Sequence, residues 1–277
     1  MKLSNKIAII TGAGRGIGRA IAIAFAKEGA KVSLVARTVS ELEETAQLIE
    51  EYGSTSLVIP TDVTQPSSVA SMVQETVSQY GRVDILVNNA GVPGPIGALQ
   101  SNKIDDWIKT IQVNVIGPYL CCKSVVPLMT NQGGGKIINL AGAGANNAWA
   151  NLSAYCTSKA GVVRMTEVLA LELENKNIQV NALGPGSIHT RMWEELRNGA
   201  EAANATKIQE IGDRVLSGGG ASLENPAELA VFLASDDSGK LSGRLISAVT
   251  DDFNNIAAKI PEIMESEAFT LRRLDLD

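Results

Sequence analysis

The fold is decided by the stretch Lys6–Arg37, which reads KIAIITGAGRGIGRAIAIAFAKEGAKVSLVAR. Its opening, Lys6–Thr11, is a short apolar run typical of a buried strand. A glycine-rich turn follows at Gly12–Gly18, and the periodic segment Arg19–Lys27 indicates a helix. A second apolar run, Lys31–Ala36, indicates another buried strand. The stretch therefore predicts a strand, a turn, a helix and a strand in immediate succession.

The glycine-rich turn predicts a site for the pyrophosphate of a dinucleotide. In a β-α-β unit such a turn lies between the first strand and the helix, and the N-terminus of the helix attracts anions. A side chain at the glycine positions would block the turn or hold the backbone away from the phosphates. An ordinary glycine-rich turn is the alternative interpretation, but the strand and helix on either side favour dinucleotide binding.

The composition indicates one large α/β domain with a sizeable core. The chain has 277 residues, 45% hydrophobic and 19% charged, and no Pro-, Ser- or Gly-rich linker divides it. Its net charge of −6 argues against a nucleic-acid partner, which normally requires a basic surface. Cys121, Cys122 and Cys156 have no metal-ligand spacing, so no metal site is expected, and their odd number favours a reducing compartment.

The N-terminus and the apolar segments predict a soluble, cytoplasmic protein. The opening Met1–Asn5 is not followed by the long apolar region of a signal peptide. No run of about 18 apolar residues occurs, so no membrane-spanning segment and no membrane partner are expected.

Apolar, strand-like runs alternate with helical stretches along the rest of the chain. This alternation implies right-handed crossovers between parallel strands. The predicted fold is therefore α/β, a single-domain doubly wound parallel sheet of the Rossmann type with helices on both faces, over residues 1–250. The further predicted helices are Ser40–Tyr52, Pro66–Tyr80, Asp105–Met129, Ala154–Asn175 and Pro226–Ala234. The further predicted strands are Thr55–Pro60, Val83–Asn88, Lys136–Ala141, Ile178–Leu183 and Arg244–Val249.

Two segments fit this alternation poorly. Arg191–Ser222 is polar, rich in alanine and ends in glycines, which is typical either of a mobile lid or of a surface excursion. Residues 251–277 form a C-terminal extension in which an amphipathic helix is predicted. Its apolar residues at helical spacing are Ile256, Ile260, Ile263 and Met264. We expect this helix to pack on the core or on a neighbouring subunit, with a cover over the substrate cleft as the alternative.

Tyr155 and Lys159 are predicted to act together. Their spacing of four places both side chains on one helical face, one turn apart. A tyrosine has a reference pKa of about 10, too high for easy proton exchange at neutral pH. An ammonium within about 5 Å favours the phenolate and is expected to lower that pKa. A chance surface pair is the alternative, which the upstream dinucleotide unit disfavours.

These residues together resemble the short-chain dehydrogenase/reductase family, from about Lys6 to Val249. The matching motifs are Thr11-Gly-xxx-Gly16-x-Gly18, Asp62, Asn88-Asn-Ala-Gly91, Asn114, Tyr155-xxx-Lys159 and Pro185-Gly186. Several independent motifs occur in the family's order, and the overall pattern is similar to that of 3-oxoacyl-carrier-protein reductases. The resemblance also implies a homotetramer or homodimer, formed through Asp105–Met129 and Ala154–Asn175.

The resemblance implies an oxidoreductase that transfers hydride between a nicotinamide cofactor and a ketone or secondary alcohol. Tyr155 would be the general acid and base, Lys159 would tune it and hold the nicotinamide ribose, and Asn114 would retain a water. Asp62 would pair with the adenine ring. The implied cofactor-binding residues are Gly12, Arg15, Gly16, Ile17, Gly18, Arg37, Asp62, Val63, Asn89, Ala90, Gly91, Tyr155, Lys159, Pro185, Gly186, Ile188 and Thr190.

The choice of cofactor follows from charge. Family members that use NAD carry an acid at the end of the second strand, where this chain has Ala36 followed by Arg37. A guanidinium binds a 2′-phosphate bidentately, and Arg15 would approach it from the other side. Two cations and no acid predict NADP(H), with merely solvated arginines as the alternative.

One side chain of the family pattern is missing. Members usually carry a catalytic serine thirteen positions before the tyrosine, where this chain has Gly142. That serine donates to the substrate carbonyl oxygen, and loss of such a donor costs about 10²–10³ in rate. A substrate hydroxyl, a backbone N–H, a water or Ser153 could replace it. On this basis Gly142→Ser is predicted to be neutral or activating.

The missing serine also leaves other functions open. A catalytically weakened sensor or scaffold protein would bind NADP(H) without turnover, and an isomerase or dehydratase would use the cofactor only transiently. The substrate stays undetermined among acyl thioesters, sugars, polyols and small ketones. Trp149, Trp193 and His189 fall near the implied substrate site, where packing is the simplest interpretation of the tryptophans.

Overall fold

The computed structural model describes residues 1–273, apart from the side chain of Asn254. Seven parallel strands form one sheet in the order β3-β2-β1-β4-β5-β6-β7. The strands are β1 (Ile7–Thr11), β2 (Lys31–Ala36), β3 (Ser56–Pro60), β4 (Ile85–Asn88), β5 (Gly135–Leu140), β6 (Ile178–Gly184) and β7 (Leu245–Ser247). The predicted doubly wound parallel sheet is thereby confirmed.

Helices connect the strands and cover both faces of the sheet. They are α1 (Gly16–Lys27), α2 (Val39–Glu50), α3 (Pro66–Tyr80), α4 (Ile104–Ile111), α5 (Gly117–Asn131), α6 (Ser153–Glu172), α7 (Arg191–Ala202), α8 (Thr206–Arg214), α9 (Glu224–Ala234) and α10 (Phe253–Met264). One hydrophobic cluster unites the sheet with α1, α2, α9 and α10. A second unites it with α3, α5 and the C-terminal end of α6.

The strands alternate their side chains between these two clusters. In β1, Ala8 and Ile10 belong to the first cluster, whereas Ile9 belongs to the second. In β4, Val87 belongs to the first and Leu86 to the second. Because a strand has a side-chain period of two, a strand covered on both faces is apolar throughout. This explains why the strands could be recognised as continuous apolar runs.

The winding direction reverses between β1 and β4, which are neighbours in the sheet although β2 and β3 lie between them in the chain. The connections that follow β1 and β4 therefore run in opposite directions across the sheet, which leaves a crevice at the carboxyl ends of these two strands. The glycine-rich turn after β1 and the Asn-Asn-Ala-Gly segment after β4 meet there, so the topology brings two separate motifs together.

Several element bounds differ from those predicted. The helix predicted at Asp105–Met129 consists of α4, a π-helical turn at Gln112–Ile116 and α5. Helix α1 begins at Gly16 rather than Arg19, because the end of the glycine-rich turn already forms its first turn. Periodicity locates a helix more reliably than its ends.

The continuous helical stretch Ile104–Asn131 bears on the expectation that no segment spans a membrane. It is long and apolar enough to cross a membrane by length and composition, and 39% of its apolar window is buried. Cys121, Val125 and Met129 on its inner face belong to the second hydrophobic cluster. A core helix of an α/β sheet meets the same criterion, so this stretch is weak support for membrane insertion.

The polar segment Arg191–Ser222 forms two helices, α7 and α8, around a small core of its own. Trp193 and Leu196 of α7 and Ile208 of α8 are buried there together with Leu152, which precedes α6. This cluster attaches the segment to the main domain beside the N-terminus of α6.

The C-terminal extension continues the main core. Ile256, Ile260 and Ile263 of α10 belong to the first hydrophobic cluster, whereas Met264 is 38% exposed. Beyond the helix, Leu245 of β7 donates its N–H to the carbonyl oxygen of Phe269, at 2.8 Å. The extension therefore packs on its own subunit and covers the outer edge of β7. Its last four residues, 274–277, lie outside the described part of the chain.

Candidate active site

The carboxyl end of β1 carries the glycine-rich turn. Gly12 has a φ of 66°, in the left-handed region that glycine favours. A Cβ on Gly18 would lie 2.2 Å from the carbonyl oxygen of Gly12. Both glycines are therefore required for the turn to close against α1. A helix N-terminus that follows a glycine-rich turn is suited to bind an anion.

A cleft of about 980 Å³ extends from this turn past the ends of β2, β3 and β4. Most of the predicted cofactor-binding residues line it: Gly12, Arg15, Gly16, Ile17, Arg37, Asp62, Val63, Asn89, Ala90, Gly91 and Thr190. Gly18 lies outside the lining, which is explained by its close packing against Gly12. The cleft therefore gathers residues that are widely separated in sequence.

Asn89 and Thr11 connect the two sides of the cleft. The side-chain amide of Asn89 donates to the carbonyl oxygens of Thr11 and Gly12, at 2.9 and 3.1 Å. The hydroxyl oxygen of Thr11 accepts from the backbone N–H groups of Asn89 and Ala90, at 3.0 and 3.1 Å. These bonds fix the position of the turn relative to the end of β4.

The carboxylate of Asp62 accepts hydrogen bonds from Thr64, two positions after it. One carboxylate oxygen accepts from the backbone N–H and from the hydroxyl of Thr64, at 2.9 and 2.8 Å. Burial acts to raise the pKa of Asp62, but these hydrogen bonds and the charge of Arg37 outweigh it, so the pKa lies below its ordinary value. The carboxylate is therefore fixed in its ionised form.

The sequence prediction overlooked an acid at the far end of the cleft. Glu41, in the first turn of α2, lines the cleft beside Arg37 and forms an ion pair with Arg15 at 2.7 Å. The expectation of two cations and no acid is therefore wrong. The available signal was the position of Glu41 at the start of the helix that follows β2, because that helix begins at the same edge of the sheet.

A smaller inner cavity of about 90 Å³ adjoins the cleft. The remaining predicted residues line it: Tyr155, Lys159, Pro185, Gly186 and Ile188. Five residues line both spaces and form the junction between them: Ile17, Asn89, Gly91, Thr190 and Met192. A ligand that filled the cleft would thus reach Tyr155 at its inner end.

The side chains of Tyr155 and Lys159 are close to each other, but burial is the main influence on the pKa of each. The ammonium nitrogen of Lys159 lies 5.9 Å from the centre of the Tyr155 ring and donates to the carbonyl oxygen of Leu140 at 2.8 Å. Burial raises the pKa of Tyr155 to about 12 and lowers the pKa of Lys159 to about 8. The sequence predicted a lowered tyrosine pKa, and this direction is wrong because desolvation disfavours the phenolate.

Asn114 lies in the π-helical turn between α4 and α5 and is buried. Its amide donates to the carbonyl oxygen of Val92 at 2.9 Å and to the hydroxyl of Ser158 at 3.0 Å, and its oxygen accepts from the N–H of Val92. The side chain therefore joins the loop after β4 to α6. It lines neither the cleft nor the inner cavity.

Gly142 lies directly beside the phenol of Tyr155. A Cβ on Gly142 would be 2.4 Å from the hydroxyl oxygen of Tyr155, far closer than atoms can approach. The position found by counting along the sequence is therefore the correct neighbour of the tyrosine. The tyrosine hydroxyl would have to shift to admit a side chain at this position, so the prediction that Gly142→Ser is neutral or activating depends on that shift.

Two other candidate side chains lie away from the inner cavity. Ser153 is the first residue of α6, and its hydroxyl accepts from the indole N–H of Trp107 at 3.3 Å. It neither caps the helix nor lines the cavity, so it does not replace the missing serine. His189 lines the outer cleft, with a ring nitrogen 3.8 Å from a carboxylate oxygen of Glu194.

Apolar side chains near Tyr155 form part of the lining of the inner cavity. Trp149 and Trp193 contact each other with ring centroids 6.2 Å apart and an angle of 51° between their planes. Both line the inner cavity, together with Leu152, Met192 and Leu196. Among the described residues that line the cavity, Lys159 is the one with a cationic side chain. Its ammonium already donates a hydrogen bond to the carbonyl oxygen of Leu140. The arrangement suits an uncharged group beside the phenol.

Comparisons with known proteins agree with this geometry. The family model for short chain dehydrogenases matches residues 6–201. The chain is 37% identical over 248 residues to the 3-oxoacyl-acyl-carrier-protein reductase of Thermotoga maritima, with 89% of this chain and 97% of the relative covered. It is 36% identical over 249 residues to a hydroxy(phenyl)methyl-succinyl-CoA dehydrogenase subunit of Thauera aromatica, with 89% and 96% covered.

Solved structures show the same likeness. The crystal structure of an NAD⁺-bound xylitol dehydrogenase superposes with a TM-score of 0.81 at 29% identity, with 89% of this chain and 98% of that chain covered. The match extends over both the cleft and the inner cavity, because the glycine turn and Tyr155 both lie within the residues that the family model matches. The chain belongs to the short-chain dehydrogenase/reductase family.

Proposed function

We propose that the protein transfers hydride between NADP(H) and a small, uncharged ketone or secondary alcohol, with Tyr155 as general acid and base. The observation that carries this proposal is the junction of the cleft with the inner cavity. The glycine-rich turn lies in the cleft, and Tyr155 and Lys159 line the cavity that adjoins it. The apolar part of the cavity lining, which contains Trp149 and Trp193, supports an uncharged substrate.

The residues of the cleft fit a dinucleotide. The turn around Gly12 and the N-terminus of α1 would bind the pyrophosphate, since a helix N-terminus attracts anions and the turn lines the cleft. Arg37 would bind a 2′-phosphate, and Lys159 would hold the nicotinamide ribose. When bound, the nicotinamide cofactor supplies or accepts the hydride.

The proton of the reaction would come from Tyr155. With a pKa of about 12, its phenol is protonated at neutral pH and can donate to a carbonyl oxygen during reduction. Lys159 has a pKa of about 8, so most of it is still an ammonium at neutral pH. That positive charge would stabilise the phenolate left after donation.

The cofactor assignment is tested by binding. NADPH and NADH are titrated into the protein and into Arg37→Asp, with Lys240→Asp as a control that makes the same charge change at an exposed position outside the cleft. Loss of the guanidinium should weaken NADPH by about tenfold or more and leave NADH nearly unchanged. An unchanged NADPH-to-NADH preference in Arg37→Asp would refute the assignment to NADP(H).

The missing serine supports a second candidate, a sensor or scaffold protein that binds NADP(H) without turnover. Gly142 places no hydroxyl beside Tyr155, so one donor to the substrate oxygen is absent. A panel of small carbonyl compounds with NADPH, followed at the nicotinamide absorbance band, separates the two. Turnover that Tyr155→Phe abolishes and Tyr119→Phe preserves identifies the enzyme, whereas tight NADPH binding with no turnover identifies the sensor.

We also propose a cytoplasmic homodimer or homotetramer formed through α4, α5 and α6. Apolar side chains are exposed on these helices, among them Tyr119 at 47% and Leu171 at 77%. A surface of this kind is typical of a contact between subunits. Cys121 and Cys122 are free and buried, which supports a reducing compartment.

A further inference from the structure

We propose that Glu41 competes with the cofactor's 2′-phosphate for Arg15 and so weakens the preference for NADP(H) over NAD(H). The proposal rests on the proposed cofactor site and identifies a residue that sets its selectivity. It starts from the ion pair between Arg15 and Glu41, whose nitrogen and oxygen are 2.7 Å apart. Both side chains line the cleft beside Arg37.

The position of Glu41 is fixed by close packing against the glycine-rich turn. A Cβ on Gly14 would lie 2.9 Å from the Cβ of Glu41, so the backbones of the turn and of α2 are in contact. Arg19 donates to the carbonyl oxygens of Gly14 and Glu41, and the hydroxyl of Thr45 donates to the carbonyl oxygen of Ala13 at 3.0 Å. These contacts hold the start of α2 against the glycine-rich turn.

Arg37 and Arg15 differ in whether they already form an ion pair. Arg37 is exposed and forms no ion pair within residues 1–273, although its charge acts on the nearby carboxylate of Asp62. Its guanidinium is therefore open to a phosphate. Arg15 is already paired, and its partner Glu41 is only 27% exposed. A 2′-phosphate carries between one and two negative charges. It would have to displace a carboxylate to reach Arg15, and that carboxylate would stay beside it.

The same carboxylate does not oppose NAD(H). A ribose 2′-hydroxyl is uncharged and can donate a hydrogen bond to a carboxylate. The arrangement therefore lowers the affinity for the phosphorylated cofactor alone. We therefore expect the ratio of NADPH affinity to NADH affinity to be smaller than it would be if both arginines were unpaired.

The test measures dissociation constants of NADPH and NADH for the full chain by calorimetry, in the wild type, Glu41→Gln and Glu44→Gln. Glu44 is the matched control, because it lies one turn along α2, pairs with Arg19 at 2.8 Å and does not line the cleft. We expect Glu41→Gln to tighten NADPH about three- to tenfold and to change NADH by less than about twofold, as expected for a partly exposed ion pair. Glu44→Gln should change neither.

A second arm isolates the role of Arg15. In an Arg15→Met background the gain from Glu41→Gln should disappear, since no guanidinium remains to be released. A gain that persists there, an equal change for both cofactors, or weaker NADPH binding by Glu41→Gln would overturn the proposal. Failure of the wild type to bind either cofactor would instead refute the proposed function, so the two failures are distinguishable.

Discussion

At the scale of single residues, the hydroxyl of Tyr155 lies beside the backbone of Gly142. The phenol oxygen lies where a Cβ at that position would be, with only 2.4 Å between them. The ammonium of Lys159 donates to the carbonyl oxygen of Leu140. The glycine therefore leaves open the space in which the hydroxyl of Tyr155, the proposed proton donor, lies.

Substitution at Gly142 should accordingly lower turnover. We expect Gly142→Ser to displace the Tyr155 hydroxyl and to reduce kcat by about 10²-fold, because misplacement by about 1 Å has effects of that size. Steady-state kinetics of carbonyl reduction would measure it. Gly161→Ala is the control, since its Cβ would lie 3.9 Å from Val115 in ordinary contact. Wild-type or higher turnover of Gly142→Ser would restore the interpretation that a hydroxyl is simply missing.

Lys159 should impose a pH dependence on the reduction. Burial lowers its pKa to about 8, whereas the pKa of Tyr155 is about 12. As pH rises through about 8 the ammonium loses its proton, so kcat for reduction should fall while the phenol is still protonated. A kcat profile from about pH 6 to 10 would show this fall. Lys159→Met should have low activity and no such step, and a wild-type profile that is flat from pH 7 to 9 would contradict the assignment.

At the scale of elements, α10 extends the core beyond the sheet. Ile256, Ile260 and Ile263 are each less than a tenth exposed, with values of 5%, 8% and 6%. Arg244, which precedes β7, donates to the carbonyl oxygens of Ile263 and Ser266, both at 3.0 Å. The helix is therefore bound to the sheet by apolar contact and by hydrogen bonds at its C-terminal end.

Loss of an apolar side chain from α10 should destabilise the whole domain. We expect Ile260→Ala to lower the free energy of unfolding by about 2–4 kcal/mol, as for other buried isoleucines. Urea denaturation followed by circular dichroism would measure it. Lys259→Ala, at the exposed neighbouring position, should change the free energy by less than about 0.5 kcal/mol. Equal, small effects of both variants would mean that α10 does not belong to the cooperative core.

At the scale of the whole molecule, apolar side chains on α5 and α6 are left exposed while the sheet is covered on both faces. Tyr119 and Ile116 lie on or beside α5, and Val168 and Leu171 lie on α6. Their exposed fractions are 47%, 41%, 44% and 77%, in that order. The outer edge of β7, in contrast, is occupied by the chain's own C-terminal segment.

A charge on this surface should prevent assembly. If the proposed oligomer forms through this surface, Leu171→Glu should convert it to a smaller species, because a carboxylate would be desolvated in the contact. Light scattering after size-exclusion chromatography gives the mass of each species. Val39→Glu, on the exposed part of α2, is the control and should keep the wild-type mass. Identical masses for wild type and Leu171→Glu would exclude a contact through α6.

The fold could be predicted because its signals are local. Apolar runs identify strands buried on both faces, glycines identify the turn after β1, and a spacing of four identifies the helical face shared by Tyr155 and Lys159. These patterns depend on neighbours in the chain, so reading along the chain recovers them. The position of Gly142 beside Tyr155 was found in the same way, by resemblance to a known spacing.

Burial and long-range contact, in contrast, could not be read along the chain. The pKa of Tyr155 rises because the folded protein excludes water from the phenol, and this exceeds the effect of the nearby ammonium. Glu41 reaches Arg15 because α2 packs on the glycine-rich turn. The packing of α10 likewise depends on which apolar surface the sheet leaves open. Each of these results from the distance between atoms far apart in sequence, which the fold alone sets.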